Sequence, residues 1–193
     1  MTERGVADWE LVQRARQGDE EAFRTLVERY QSKVAALAMG MLKSREDALD
    51  VVQETFTKAY QSLDRFKGDS SFYTWVYRIA VNQCIDHQRR EGRLIHIPLD
   101  AGDRGGETIA IPPDDGVRRD DPFQGARDSE IVRRLREAIA ELTPEHRAVI
   151  LLREVEGLSY EEISRVLECP KGTVMSRLHY ARRELQARLR ELL

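Results

Sequence analysis

One stretch constrains this chain before any helix is counted. Residues 95–128 hold nine of its eighteen Gly and Pro residues in 34 positions, with eight Asp/Glu against four Lys/Arg and no apolar periodicity. A segment of that composition buries too little apolar surface to offset the entropy lost on ordering it. It is read as an extended acidic linker. The expected architecture is therefore two modules, residues 1–94 and residues 129–193, rather than one continuous core.

Both flanking blocks carry helical periodicity, and no alternating strand pattern competes with it. In the first, DWELVQRARQ stops at Gly18-Asp19, and a longer helix is expected from Glu20 to about Leu42, with Phe23, Leu26, Val27, Tyr30, Val34 and Leu37 on one side. Ser44 with Asp47 resembles a capping box opening a helix through Gln61, and KGDSS is a turn before a helix from about Ser71 to Arg90. In the second block a helix is expected over 128–142. Thr143-Pro144-Glu145 reads as an N-cap followed by Pro at the first helical position, and that helix should end near Gly157. SYEE, residues 159–162, forms a second capping box for a helix to about Leu167, and a last helix runs from Lys171 to near Arg190. The fold class is all-α: an N-terminal helical bundle and a C-terminal helix-turn-helix domain on a flexible acidic linker.

The net charge of −3 carries no whole-molecule signature of a nucleic-acid binder, so any such signal must be local. Cys84 and Cys169 are far apart, and His87, His96, His146 and His179 are scattered, so neither a metal set nor a disulfide framework is expected. No phosphate-binding Gly loop and no nucleophile–base pairing occurs, so the chain is not expected to be an enzyme or to need a cofactor. Asp8, Glu10 and the arginines around them interrupt any leader pattern, and the longest apolar run, VAALAMGML, is half of what a bilayer crossing needs. A cytoplasmic, non-membrane protein is expected.

Two local patterns point to nucleic acid. A short helix, a tight turn and a longer basic helix make a helix-turn-helix, and from Arg165 onward there are seven Lys/Arg against three Asp/Glu. Wound at 100° per residue, Val174, Leu178, Ala181, Leu185 and Leu189 form an inward stripe. The other side presents Lys171, Met175, Ser176 and His179 to base edges. Arg177, Arg182 and Arg183 lie nearer phosphates, and Gly172 permits close backbone approach. The same pattern also fits an ordinary amphipathic helix with a solvated basic face.

The second pattern is aromatic. Phe66, Phe72, Tyr73, Trp75 and Tyr77 are five of thirteen aromatics, gathered in twelve residues. Phe72, Trp75, Val76, Ile79 and Ala80 share a helical side; Val76, Ile79 and Phe72 read as core, while Trp75 fits the core and a nucleic-acid-facing surface equally, and Tyr73 and Tyr77 fall away from the stripe, beside Arg78, Asn82, Gln83, Arg89, Arg90 and Arg93. Aromatics between cations suit a single-stranded nucleic acid, where each stacked base returns roughly 1–3 kcal/mol against roughly 1.4 kcal/mol per opened step. A crowded helical core remains the other reading.

Two long motifs carry a family resemblance. DALDVVQETFTKAYQSLDRFKGDSSFYTWVYRIAVNQCID (47–86) and LREVEGLSYEEISRVLECPKGTVMSRLHYARREL (152–185) are similar to regions two and four of bacterial extracytoplasmic-function (ECF) RNA polymerase sigma factors of the sigma-E-like branch. The resemblance covers nearly the whole chain outside the linker. It implies that Asp47, Asp50, Gln53, Glu54 and Phe56 meet the clamp helices of core RNA polymerase. It implies that Lys67, Gly68, Asp69, Ser70, Ser71 and Phe72 capture a flipped base of the promoter's minus-ten element, with Tyr73, Trp75, Arg78 and Asn82 on the adjoining promoter-facing helix. It also implies minus-thirty-five reading by Lys171, Gly172, Thr173, Met175, Ser176, Arg177, His179, Tyr180 and Arg183. The implied partners are core polymerase, promoter DNA as duplex and melted strand, and an anti-sigma factor that can hold the protein at the inner membrane. Where the family commonly carries Arg or Lys, this chain has Met175, which cannot donate a hydrogen bond. The two elements lie about 70 Å apart. The 34-residue linker reaches about 110 Å at full extension, enough to join modules held at both. In the family this linker threads toward the active-site cleft. Two other readings stand beside this one: a regulator binding duplex DNA alone, and a helical adaptor whose basic helix is incidental.

Overall fold

A computed structural model describes residues 3–95 and 130–190. All but the first residue of the expected linker lies outside them. The first half comprises α1 (Glu3–Arg16), α2 (Glu20–Met41), α3 (Arg45–Gln61), a 3₁₀ turn (Leu63–Arg65) and α4 (Phe72–Ile95). The second comprises α5 (Glu130–Ala140), α6 (Pro144–Ile150) running into a π-helical turn (Leu151–Val155), α7 (Tyr160–Val166) and α8 (Lys171–Arg190). Among the described residues there is no strand, and no helix is long and apolar enough to cross a membrane.

The helix starts are set by local chemistry. The Asp19 carboxylate accepts from the Ala22 N–H at 3.2 Å and opens α2, and Ser44 Oγ accepts from the Asp47 N–H at 3.3 Å and opens α3. Thr143 does the same for α6, through His146 N, with Pro144 at its first position. The Ser159–Glu162 box is complete: each side chain satisfies the other residue's backbone N–H, at 3.2 and 2.8 Å. These contacts satisfy N–H groups that a helix start leaves without partners.

In the first half, α2, α3 and α4 pack around Leu26, Val34, Leu37, Met41, Val51, Val76 and Val81. α1 is pinned to α2 by a buried carboxylate: Asp8 accepts from the Arg29 guanidinium and the Tyr30 hydroxyl. In the second half the expected stripe is observed, with Val174, Leu178, Ala181 and Leu185 of α8 buried against α5, α6 and α7.

The two halves do not stand apart. One buried apolar cluster runs through both, and α4 lies along α7 while α2 meets α5, α6 and the π turn. Arg147 crosses the seam: its guanidinium, only 5% exposed, donates to Met41 O of α2 at 2.5 Å. Gly40 provides the notch. A Cβ there would come within 2.8 Å of the Leu151 side chain, so a bare backbone is what lets Leu151 seat against α2.

Candidate nucleic-acid interface

The aromatic cluster of residues 66–77 is mostly core. Phe66, Phe72 and Trp75 are buried and mutually in ring contact, with centroids 5.1 Å (Phe66–Trp75), 5.8 Å (Phe72–Trp75) and 5.9 Å (Phe66–Phe72) apart. They form the floor under the turn at 67–71, where Lys67, Gly68, Asp69 and Ser71 are exposed and Ser70 partly so. Two features hold that turn. Arg16 donates to the Leu63 carbonyl at 2.9 Å and to the Phe66 carbonyl, while its guanidinium lies 5.5 Å from the Trp9 ring centre. Gly68 takes φ +79°, and a Cβ there would lie 2.9 Å from the Trp9 ring. Both backbone and space therefore require glycine. Ser71 Oγ then accepts from the Thr74 N–H at 3.1 Å, at the start of α4.

Beyond the turn, Tyr73 and Tyr77 do leave the Phe72 stripe, but only Tyr73 retains exposure; Tyr77 is fully buried. Their rings lie 4.3 Å apart, and the Glu156 carboxylate of the second half acts on both phenols, a neighbour that helical winding alone could not show. Tyr73 Oη donates to Glu156 Oε2 at 2.8 Å, and Lys33 Nζ lies 5.1 Å from its ring centre. Burial, and then the Glu156 carboxylate, push the Tyr73 phenol well above its ordinary range. Arg78 pairs with Glu168 at 3.1 Å, and Asn82 is exposed in a polar groove with Lys58, Arg65 and Asp86.

The α3 face is open. Asp50, Gln53 and Glu54 are exposed, and the Asp47 carboxylate lies 3.4 Å from His87 Nε2. Gln83 anchors this face from α4: it donates to Glu54 Oε2 and accepts from Lys58 Nζ, each at 2.5 Å. Phe56 is buried, at the base of an apolar groove between α2 and α3 that leaves Leu49 and Tyr60 exposed at its rim.

In the second half, Glu168 at φ +49° turns the chain between α7 and α8, and the Ser164 hydroxyl donates to Cys169 O at 2.6 Å. The outer face of α8 is as the winding placed it: Lys171, Gly172, Met175, Ser176, His179, Tyr180 and Arg183 are exposed, Thr173 and Arg177 half-buried. Arg182 is exposed as well, and both its Nε and Nη2 bond Glu154 Oε1, at 3.1 and 2.6 Å, which braces α8 to the π-helical turn. Lys171 pairs with Glu161, whose carboxyl it holds below the ordinary range.

Sequence reasoning missed the residues of the seam: Glu156, Glu168, Arg147 and Leu151. The one available signal was Gly40, a glycine inside a helical pattern, which marks close approach.

Residues 26–94 match the model of sigma-70 region 2, and residues 132–185 that of sigma-70 region 4. The chain is 41% identical over 189 residues to the ECF RNA polymerase sigma-E factor of Haemophilus influenzae, covering 97% of this chain and 98% of that one. It is 38% identical over 187 residues to the RNA polymerase sigma-H factor of Pseudomonas aeruginosa, covering 96% and 95%. Among solved structures it is similar to CnrH in complex with the cytosolic domain of CnrY, at TM-score 0.68 and 28% identity, covering 96% of this chain and 98% of that one. It is also similar to the sigma factor RpoE of Bartonella quintana bound to the anti-sigma factor NepR, at TM-score 0.66 and 25% identity, covering 87% and 96%.

Proposed function

This chain belongs to the ECF group of sigma-70 RNA polymerase sigma factors and so directs core RNA polymerase to promoters; from that premise we propose how its residues divide the work. The observation that carries the reading is the presence of both family regions, in order, on one chain whose similarity to a sigma-E relative covers 97% of its own length.

Core polymerase docks on α3 through Asp47, Asp50, Gln53 and Glu54, with Phe56 giving shape to the neighbouring groove. Exposed carboxylates and amides on one helical surface suit an arginine-bearing partner. The turn Lys67–Ser71 takes a flipped base of the minus-ten strand. Tyr73, Arg78 and Asn82 line the path beside it, and buried Phe72 and Trp75 fix the turn from below. The helix from Lys171 enters the major groove at the minus-thirty-five element. There Lys171, Gly172, Thr173, Met175, Ser176, His179 and Tyr180 face bases, while Arg177 and Arg183 lie toward phosphates. Residues 1–94 and 129–193 are the two operating modules, and residues 95–128 the tether that spans the promoter.

The protein carries no chemistry of its own, and the genes it serves form a stress or envelope-response set. It works in the cytoplasm, and an anti-sigma factor restrains it, at the inner membrane where that factor is anchored there. Reconstitution tests the whole reading. Purified chain with core polymerase should start transcripts at defined promoters, with DNA affinity falling steeply as salt rises. Transcripts no more selective than those of core enzyme alone would refute it.

A further inference from the structure

We propose that Gln83 is a positioning residue for polymerase docking: from α4 it reaches between Glu54 and Lys58 of α3, holding the carboxylate outward and keeping the lysine off it. The inference rests on the reading above that Glu54 meets core polymerase.

The starting observation is a polar side chain in an apolar place. Gln83 is 3% exposed, and its near neighbours in sequence, Val81 and Cys84, are fully buried, yet both ends of its amide bond exposed residues. Its Nε2 donates to Glu54 Oε2 and its Oε1 accepts from Lys58 Nζ, each at 2.5 Å. The amide can sit only this way round, because a carboxylate only accepts and an ammonium only donates. A methionine of similar length fills the same space without burying a polar group, so packing alone does not call for glutamine.

The partners say what the amide does. Glu54 and Lys58 lie one turn apart on α3, acid before base, the spacing and order in which a helix pairs them best. Here Lys58 gives its Nζ to the Gln83 carbonyl, and the Glu54 carboxylate takes a neutral donor instead of a cation. Glu54 therefore keeps its charge for an arginine of the partner, and its Oε1 carries no hydrogen bond among the described residues. Fixing the side chain in advance also removes entropy that docking otherwise loses on ordering it. His87, one turn further along α4, stands behind the same face in the same way, with Nε2 3.4 Å from Asp47 Oδ2. Two successive turns of α4 thus back two of the acidic groups assigned to polymerase.

The experiment titrates core RNA polymerase into the full chain, fluorescein-labelled at its N-terminus, without DNA, and follows anisotropy. Circular dichroism gives the melting temperature of each variant. Gln83→Met should weaken the complex about fivefold, from the freed Glu54 side chain and the competing Lys58, and leave the melting temperature within a few degrees. In the Glu54→Ala background the same change should have no further effect, because its route to polymerase is gone. Lys58→Met added to Gln83→Met should recover about twofold of the loss. Gln83→Glu keeps a polar side chain against Lys58 but sets a second carboxylate beside Glu54, and should weaken binding too. Wild-type affinity in Gln83→Met or Gln83→Glu, an equal loss with and without Glu54, or no recovery from Lys58→Met overturns the inference. Glu54→Ala tells the two levels apart. Wild-type affinity in Glu54→Ala overturns the assignment of the polymerase face, whereas a loss there with none in Gln83→Met overturns the positioning role alone.

Discussion

Replacing Arg147 by Met should destabilise the C-terminal half by about 3 kcal/mol, with a smaller effect on its docking. Arg147 is 5% exposed, and among the described residues no carboxylate pairs with it. Its charge is held by four carbonyl oxygens instead: Ile139, Ala140 and Leu142 at the C-terminal end of α5 and the turn after it, and Met41 across the seam. Ile139 and Ala140 belong to the last turn, whose carbonyls a helix cannot all satisfy internally, and Leu142 to the turn after it; Ile139 O also accepts from the Leu142 N–H at 3.2 Å. Burial pulls the guanidinium pKa down, so desolvation already opposes the charge and the carbonyl dipoles must offset it. Methionine keeps most of the stem's packing volume, so the change removes hydrogen bonds and little else. At about 1 kcal/mol for each of the three intramodular hydrogen bonds lost with the guanidinium, the loss is about 3 kcal/mol, and the bond across the seam adds about 1 kcal/mol to docking. With a urea m-value of about 2 kcal/mol/M, the unfolding midpoint of the C-terminal half should fall by about 1.5 M, followed by far-ultraviolet circular dichroism. Arg147→Lys keeps a charge but not the planar fork, and should recover less than half of the loss. A drop below about 1 kcal/mol for Arg147→Met, or full recovery by Lys, would show that the carbonyl network is not what holds α5 to α6.

Gly68→Ala forces a side chain into φ +79° and against the Trp9 ring, so it should cost about 1–3 kcal/mol and several degrees of melting temperature, measurable by calorimetry; an unchanged melt would mean the 67–71 turn relaxes freely. Met175→Arg places a fork-shaped donor on an exposed position of the groove-reading face and should tighten or re-tune promoter choice; equal binding across a panel of minus-thirty-five variants would refute that role. The Asp19 carboxyl is held below its ordinary range by the Arg14 side chain and then the Ala22 N–H. Its contribution is therefore present above about pH 4 and disappears as pH falls through the depressed folded value, so the melting-temperature gap between wild type and Asp19→Ala should close on acidification. A gap that does not change with pH would remove the charge from the explanation.

The local elements were legible because their causes are local. Asp19, Ser44, Thr143 and Ser159 cap the helices they precede, and the Val174–Leu185 stripe turned inward as its spacing required. What winding a single helix could not show was which neighbour would cover its second face. Tyr77, placed outside the core stripe by its angle, is buried because the other half of the chain lies over it. Arg182 is outward as the winding placed it, but its partner Glu154, 28 residues earlier, was not readable from the winding.

Periodicity and capping act over a few residues, so the amino-acid order by itself determined the helical content of the described residues and the two family regions. The meeting of Tyr73 with Glu156 joins residues 83 apart, and that of Arg147 with Met41 residues 106 apart, and each depends on two finished surfaces fitting. Only the tertiary structure decided which donors of α4 stay available, because burial and pairing between distant segments follow from shape and charge in three dimensions, for which no short-range pattern codes.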